Sequence, residues 1–312
     1  MLQASVIICT HNPRPHYLRR VLEALRVQTL SLKQWELLLI DNASQEPLTA
    51  CNWNLSWHPQ ARRIREDELG LAPARHRGMR EARAGILIFV DDDNILASDY
   101  LDQAVRIGRE WPILGVWGSG ATIPEFEVRP PDALLPYLDK LAIRDSKTIK
   151  FGNIIGYYGM IPWGAGQCVR AEVATSYRRY FESSSIKITG RTGTSFDSAE
   201  DLETCYAACA SGMGVGIFPE LKLIHLIPKE RLEEDYLVKL SEGISTSLLL
   251  VEYKWQKSIP VSPFASFGGI LRMMRNVLAR RRVQRRMYLA ELRSVRRVRK
   301  IILEYQDAVK TH

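Results

Sequence analysis

The first hundred residues alternate short apolar runs with helical patterns, and this alternation limits the fold more than any other feature of the sequence. Leu37–Ile40 and Ile86–Val90 are apolar at every position, as in strands of a parallel sheet that helices cover on both faces. Amphipathic patterns near 17–28 and 72–84 predict helices between the strands. We therefore predict an α/β fold: a doubly wound, mostly parallel sheet flanked by helices, with a C-terminal helical extension.

The domain organisation follows from where this pattern stops. A last strand is predicted at Leu221–Leu226, and the rest of the chain has helical patterns interrupted by a Pro- and Ser-bearing linker at Ser258–Gly269. The 312 residues are enough for one large domain and an appendage. We predict a domain over 1–228, with halves 1–120 and 121–228, and a helical region over 229–312.

Positive charge is concentrated in residues 270–303, which hold twelve Arg or Lys and a single acid, Glu291. This segment has a net charge of +11, so the +8 of the whole chain leaves −3 for the remainder, and we expect no nucleic acid partner. Apolar residues at steps of three and four predict an amphipathic helix here. This stripe consists of Tyr288, Leu292, Val295, Val298 and Ile302. Two interpretations are open: the stripe contacts an anionic membrane, or it packs on its own domain or on a second subunit of a homodimer.

The sequence predicts a cytoplasmic protein. Its five cysteines are odd in number and scattered, which argues against a disulfide framework. The N-terminus leads directly into the apolar run Ser5–Cys9, without the basic start and cleavage site of a signal peptide. No stretch approaches the roughly 18 consecutive apolar residues that span a bilayer. Any membrane contact is therefore expected to be peripheral, at the inner face.

Polar and acidic residues directly follow three of the predicted strands. They are Thr10, His11 and Asn12 after the first run, Asp41 after the second, and Asp91, Asp92 and Asp93 after the fourth. Ligands of open α/β sheets bind beyond the carboxyl ends of the strands, so we expect an acidic cleft at this edge. Adjacent carboxylates repel one another unless a cation lies among them, and their hard oxygens suit Mg²⁺ or Mn²⁺ bridging to a diphosphate. The alternative is that the three aspartates only form a turn and help to cap the next helix.

Two common phosphate-binding loops are missing from the sequence. The first strand is not followed by Gly-x-Gly-x-x-Gly, and no Gly-x-x-x-x-Gly-Lys-Ser/Thr segment occurs. The backbone cradles that dinucleotide redox enzymes and P-loop enzymes require are therefore absent. A diphosphate bound at this edge would need the metal as its counter-charge.

These residues, taken in order, resemble the family-2 glycosyltransferases with the GT-A nucleotide-diphospho-sugar transferase fold. The resemblance covers about residues 4–228 and rests on Ser5–Asn12, Asp41–Ser44, Gly70–Gly78, Asp91–Asp93, Trp163–Gly166, Glu200–Asp201 and His225. It implies a nucleotide-sugar-binding half at 1–120 and an acceptor-binding half at 121–228. The implied donor is a nucleotide-diphospho-sugar, with UDP favoured, and the implied acceptor is a carbohydrate or a lipid-linked molecule.

The resemblance also implies roles for single residues in the donor half. Thr10, His11 and Asn12 would line the nucleotide pocket, Asp41 would hold the base, and Arg75 would lie near the uridine or the diphosphate. Asp92 would contact the ribose or the diphosphate. Asp93 would ligate the Mn²⁺ or Mg²⁺, with Asp91 as the alternative if the motif is read as Asp-x-Asp; Asp91 otherwise lies beside the nucleotide.

In the second half, Glu200 and Asp201 open a predicted helix, where the helix dipole keeps a carboxylate ionised as a general base. Asp201 is the candidate base and Glu200 the second candidate catalytic residue, which could instead hold the acceptor; the alternative is that both are ordinary capping residues. His225 is either a metal ligand or a core histidine. Trp163, Gly164 and Gly166 are candidates for acceptor binding, against roles in the core and in a turn. In the polar loop Ser183–Ser198, Lys187 and Arg191 either fold over the diphosphate or only keep the loop soluble.

Together these features predict an inverting, metal-dependent glycosyltransferase that moves a sugar from a nucleotide diphosphate to a hydroxyl acceptor in surface polysaccharide or glycolipid biosynthesis. A nucleotidyltransferase is the first alternative, but it should carry a basic Gly-rich loop where Thr10–Pro13 stands. The second is a nucleotide- or carbohydrate-binding module without turnover, because a fold alone does not guarantee chemistry. The third is an adaptor that acts through its basic tail.

Overall fold

The computed structural model of the chain describes residues 2–49, 51–188, 190 and 196–310. The chain divides into two compact units. The first comprises Met1–Glu127, Ala142–Ser184 and Glu200–Ile227, and the second comprises Val128–Leu141, Ser185–Ala199 and Pro228–His312. The second unit thus takes two segments from before residue 228. The boundaries at 120 and 228 stay predictions.

The strands of the described residues form one sheet in the first unit. They are β1 Ala4–Thr10, β2 Trp35–Asn42, β3 Ala61–Glu66, β4 Ile86–Asp91, β5 Asn94–Leu96, β6 Leu114–Phe126, β7 Arg144–Asp145, β8 Lys150–Gly152, β9 Cys168–Arg170 and β10 Gly214–Ile227. The order across the sheet is β3-β2-β1-β4-β9-β6-β10-β5, with β7 beside β6 and β8 beside β10. The long strands pair in parallel, whereas β5, β7, β8 and β9 pair antiparallel with their neighbours.

Eight helices lie in the described part of the chain. Those of the first unit are α1 Pro15–Arg26, α2 Leu71–Glu81, α3 Tyr100–Glu110, α4 Ala171–Ser183 and α5 Glu200–Ala210. Those of the second unit are α6 Glu234–Gln256, α7 Phe267–Ala279 and α8 Arg282–Lys310. Short 3₁₀ turns occur at Asp132–Leu141, Tyr158–Met160, Lys229–Leu232 and Pro263–Ala265.

The sheet is covered by helices because its inner strands are apolar on both faces. Every residue of β2 is buried, and so are Ile7 and Ile8 of β1, which point to opposite faces of the sheet. The amphipathic helix α1 buries Leu18 and Leu25 in the same core. Each such side chain contributes about 1.5–3 kcal/mol when it leaves water. The predicted α/β fold with a flanked, mostly parallel sheet and C-terminal helices is confirmed.

The segment predicted as a linker at Ser258–Gly269 already contains the start of a helix. Helix α7 begins at Phe267 because Ser266 caps it: the Ser266 Oγ accepts a hydrogen bond from the backbone N–H of Gly269 at 3.1 Å. A Ser at this position satisfies one of the N–H groups that a first turn leaves unpaired. The prediction missed this cap because the two glycines that follow it read as loop residues.

The amphipathic stripe of the basic tail packs inside the second unit. Val298 and Ile302 of α8 are buried, and α8 lies along α6. Ser294, also buried, donates a hydrogen bond to the backbone carbonyl of Glu242 in α6 at 2.9 Å. Of the two interpretations of the stripe, packing on its own chain therefore describes α8, while the homodimer stays a prediction. No helix in the described part of the chain is long and apolar enough to cross a membrane.

Candidate active site

The parallel register of three strands brings the first predicted site residues to one edge of the sheet. Thr10 lies opposite Asp41 in the β1–β2 pair, and Cys9 lies opposite Asp91 in the β1–β4 pair. The Thr10 hydroxyl donates a hydrogen bond to the carboxylate of Asp92, which directly follows β4. This hydrogen bond connects the end of β1 with the turn at Asp91–Asp93, which we call the aspartate turn.

Asp41 organises the loop that follows β2. Its carboxylate accepts hydrogen bonds from the backbone N–H groups of Ser44 and Leu48, both at 3.1 Å, and from the Arg65 guanidinium at 2.8 Å. Burial raises the pKa of Asp41, but the Ser44 side chain, the two backbone N–H groups and Arg65 outweigh burial and hold the pKa below its ordinary value. The carboxylate is thus ionised and already bound by three protein groups. A contact with a nucleotide base would use its remaining acceptor capacity and stays a prediction.

His11 and Asn12 fasten the end of β1 to the same loop. The His11 Nδ1 lies 2.7 Å from the backbone carbonyl of Asn42. The Asn12 backbone N–H donates to the Ser44 hydroxyl, and the Asn12 side-chain oxygen accepts from the backbone N–H of Gln45, both at 2.9 Å. Asn12 has a φ of 47°, a left-handed conformation that Asn tolerates better than most residues. This turn lies at the edge where a nucleotide pocket is predicted.

Asp93 and His225 meet because β5 pairs antiparallel with β10. His225 lies opposite Asn94 in this pair, and the backbone N–H of Leu226 donates to the carbonyl of Asp93 at 2.9 Å. The His225 Nε2 and the Asp93 Oδ2 are 3.5 Å apart, and both residues are buried. The second Asp93 oxygen accepts from the Asn94 side chain at 2.9 Å. Two of the three predicted metal ligands are therefore adjacent.

The third predicted ligand is held by an arginine instead. Asp91 Oδ1 lies 3.5 Å from Arg75 Nη2, and no cluster of three or more His, Cys, Asp or Glu able to hold a metal occurs among the described residues. The pair Asp93–His225 nevertheless fits a Mg²⁺ or Mn²⁺ site. Mg²⁺ is commonly held by one or two carboxylates, with substrate phosphates and water completing the shell, and Asp93 supplies one such carboxylate.

Arg75 connects the strand end with the start of α5. It is buried, and its Nη1 lies 3.8 Å from the Glu200 Oε1, while its Nη2 faces Asp91. Burial lowers the Arg75 pKa, but the Glu200, Asp91 and Asp201 carboxylates outweigh burial and raise the pKa above its ordinary value. The guanidinium also lies over the ring of Phe89, 5.2 Å from its centroid. Arg75 is therefore a permanent buried cation between two acids.

Gly164 and Gly166 are required by the packing of the protein itself. A Cβ at Gly164 would collide with the Arg75 guanidinium, lying 3.0 Å from Nη1 and closer still to Nη2. Gly166 has a φ of +70°, and a Cβ there would collide with the hydroxyl of Tyr100, which donates to the Gly166 carbonyl at 2.6 Å. Contact of these glycines with an acceptor stays a prediction.

Glu200 and Asp201 are adjacent in sequence but lie in different surroundings. Glu200 is 2% exposed and faces Arg75, whereas Asp201 is half-buried. The Asp201 Oδ2 accepts a hydrogen bond from the backbone N–H of Gly164 at 2.9 Å. Asp201 thus has a fixed orientation and remains accessible, as a base that meets an incoming hydroxyl must be.

Sequence reasoning missed Arg144, which lies on Trp163. The Arg144 guanidinium stands 3.7 Å from the centroid of the Trp163 ring, and burial lowers the Arg144 pKa to about 10. This stacking covers one face of the indole, which was predicted to contact the acceptor. No sequence signal pointed to Arg144, because it lies in the two-residue strand β7, far from Trp163 along the chain. Lys187 lies in a segment of the second unit, and Arg191 lies outside the described residues.

The comparisons with known proteins agree with this fold. The family model described as Glycosyl transferase family 2 matches residues 5–161, half of the chain. The crystal structure of S. aureus TarS 1–349 is similar at a TM-score of 0.52 and 12% identity, over 97% of this chain and 92% of that chain. TarS 1–349 in complex with UDP-GlcNAc gives a TM-score of 0.54 at 12% identity, with the same coverage. No curated protein sequence is significantly similar to this chain.

The matched segment contains β1, β2, β4 and the aspartate turn, so it covers the strand ends from which the candidate site is built. The chain belongs to glycosyl transferase family 2. It is an enzyme, a glycosyltransferase of the GT-A fold.

Proposed function

We propose that this enzyme transfers a sugar from a UDP-sugar to a hydroxyl acceptor, with inversion at the anomeric carbon and with a bound Mg²⁺ or Mn²⁺. The observation that carries the proposal is the Arg75 bridge. This one buried cation lies between Asp91, at the end of β4, and Glu200, at the start of α5. The groups proposed to bind the donor and the groups proposed to activate the acceptor are thereby held in one site.

The donor is proposed to lie over the ends of β1, β2 and β4. The hydrogen bonds of His11, Asn12 and Asp41 hold the β1 end and the β2 loop in a fixed position, which reduces the entropy lost when a nucleotide binds. UDP is preferred because TarS 1–349 has been crystallised in complex with UDP and with UDP-GlcNAc. Asp92, fixed by the Thr10 hydroxyl, is proposed to contact the ribose or the diphosphate.

Asp93 and His225 are the residues proposed to hold the metal, since their oxygen and nitrogen atoms lie side by side at 3.5 Å. A bound divalent cation stabilises the negative charge that develops on the diphosphate leaving group. Asp91 is then proposed to orient Arg75 rather than to ligate the metal. His225 would supply a ring nitrogen and Asp93 a carboxylate oxygen to the same cation.

Asp201 is proposed as the general base. Its carboxylate, oriented by the Gly164 N–H, takes the proton of the acceptor hydroxyl as that oxygen attacks the anomeric carbon from the face opposite the departing diphosphate. The bond from the anomeric carbon to the diphosphate oxygen breaks as the new glycosidic bond forms, so the configuration inverts. Glu200 is too deeply buried against Arg75 for this role and is proposed to keep Arg75 in place.

The biological setting of the reaction is also part of the proposal. We place the enzyme in the cytoplasm, at the inner face of a membrane, where nucleotide sugars and lipid-linked acceptors are both present. A single-sugar transfer in the synthesis of a surface polysaccharide or glycolipid fits this setting.

The test is turnover of a panel of UDP-, GDP- and dTDP-sugars in wild type and in Asp201→Asn. We expect turnover with a UDP-sugar, an inverted product by NMR, and a loss of at least about 100-fold in kcat for Asp201→Asn with donor affinity unchanged. Asp102→Asn, an exposed aspartate of α3, is the matched control and should behave as wild type. Full activity in Asp201→Asn, or a product of retained configuration, would refute the proposed mechanism.

A further inference from the structure

Helix α7 carries an apolar face that nothing in the described part of the protein covers. Its inner side is half-buried through Ile270, Met273 and Val277. The other side presents the α7 stripe, which we define as Phe267, Leu271, Met274 and Leu278, exposed by 80%, 60%, 53% and 80%. The spacing of four, three and four residues places these side chains in one row along the helix.

The side chains of the α7 stripe do not contribute to the buried core of the protein. No described residue of α7 is buried, whereas α8 buries its own stripe through Val298 and Ile302. Two more exposed apolar residues, Val261 and Phe264, precede α7 and extend the apolar surface. A soluble surface seldom presents so many large apolar side chains together unless they contact a partner.

The charge around the stripe indicates the chemistry of that partner. Residues 253–290 hold nine Lys or Arg and no Asp or Glu. At about 100° per residue, Arg275 and Arg272 lie roughly 70° and 130° round the helix from the centre of the stripe, on the side away from Ile270. An apolar row flanked by arginines is complementary to a surface that is apolar inside and anionic outside.

We propose that α7 lies in the headgroup region of an anionic lipid bilayer, with the α7 stripe inserted towards the acyl chains and Arg272 and Arg275 on lipid phosphates. A second copy of the chain fits less well, because two stripes facing each other would bring two sets of arginines together, and residues 253–290 hold no acid to offset them. An RNA partner would contact the arginines through its phosphates, but it would leave the apolar side chains of the α7 stripe without a binding partner. None of the α7 residues is proposed to bind the donor, the metal or the acceptor. The membrane proposal therefore does not depend on the proposed donor or metal.

The test uses the full chain and vesicle flotation with phosphatidylglycerol-containing vesicles against pure phosphatidylcholine vesicles. We expect wild type to float with the anionic vesicles, to float poorly with the neutral ones, and to dissociate at high salt. The triple variant Phe267→Ser, Leu271→Ser, Leu278→Ser should lower the partition constant at least about 100-fold, equivalent to about 2.8 kcal/mol. Arg272→Gln with Arg275→Gln should reduce binding and its preference for anionic lipid.

The matched control is Val27→Ser, Ile113→Ser, Ile154→Ser. It removes three exposed apolar side chains of the first unit, exposed by 64%, 59% and 61%, and it should bind as wild type does. Equal loss in the control variant would overturn the assignment to α7. Wild-type protein that does not float with anionic vesicles would overturn the proposal itself.

A second measurement covers the case in which the triple variant does not fold. Phe267→Trp preserves the apolar character of the stripe, and brominated acyl chains in anionic vesicles should quench its additional fluorescence. No additional quenching relative to wild type would refute insertion. Sedimentation without lipid tests whether a second copy of the chain covers the α7 stripe instead. If the protein self-associates through the stripe and does not float with vesicles, the surface binds a second copy and the proposal is overturned.

Discussion

Replacement of Gly164 by Ala tests the Arg75 bridge with the smallest change in the site. The added Cβ would lie 3.0 Å from Arg75 Nη1, 3.1 Å from Cζ and closer to Nη2. Carbon needs about 3.5–4 Å of separation, so the guanidinium must move by roughly 1 Å. Because Arg75 is buried between Asp91 and Glu200, such a movement lengthens at least one of its ion pairs.

The magnitude follows from the two distances, 3.5 Å to Asp91 and 3.8 Å to Glu200. At an effective dielectric constant of about 20, lengthening each by 1 Å costs about 1 kcal/mol, or about 2 kcal/mol if both lengthen. A loss of about 2 kcal/mol corresponds to a decrease of about 4–8 °C in Tm for a unit of this size. The displaced groups should also lower kcat/KM about 10- to 100-fold.

The assays are thermal unfolding by circular dichroism and donor turnover, each compared with Gly85→Ala. A Cβ at Gly85 meets nothing within 4 Å, so that variant controls for the loss of backbone freedom alone. We expect Gly85→Ala to be at least as stable as wild type. If Gly164→Ala unfolds at the temperature of Gly85→Ala and turns over as fast, the bridge does not matter for stability or activity.

Two further predictions concern stability. Burial lowers the pKa of His58 to about 4, and the His58 Nδ1 accepts a hydrogen bond from the Gln60 N–H at 3.1 Å, which requires the neutral ring. The unfolded chain binds this proton near pH 6.5, so stability is complete above that pH and declines by up to about 3 kcal/mol as the pH falls towards 4. Urea unfolding over this range should show the decline in wild type and in the exposed control His16→Gln, but a shallower decline in His58→Gln; equal slopes in all three would contradict the assignment. In the second unit, Val298→Asp buries a charge against α6 and should cost about 3 kcal/mol or more, while Leu303→Asp on the exposed side of α8 should change the free energy of unfolding by less than about 0.5 kcal/mol.

The sequence predicts the strand ends well because one rule connects them: parallel strands that are apolar on both faces end at the same edge. The sequence therefore assigns Thr10, Asp41 and Asp91 to one edge, and the register of β1 with β2 and β4 agrees. The acids of α5 were also predictable, because they open a helix. These features depend on local pattern and on a general property of the sheet.

Contacts between distant segments were not predictable in the same way. The approach of Asp93 to His225 depends on β5, a strand of three residues without a pattern of its own. The stacking of Arg144 on Trp163 depends on β7, which is shorter still. Periodicity predicted a stripe on α8 but not that α6 would cover it, because a pattern specifies which face is apolar and leaves its partner undetermined.

The most direct test of the donor and metal assignments is the binding of UDP measured by isothermal titration calorimetry. Wild type should bind UDP with Mn²⁺ present, in preference to GDP and dTDP, and should lose most of this affinity in EDTA. Asp93→Ala should bind UDP equally weakly with Mn²⁺ and with EDTA, since it lacks one of the two proposed ligands. Binding of UDP that is the same with and without metal in wild type would contradict the metal site, and no binding of any of the three nucleotides would contradict the proposed donor class.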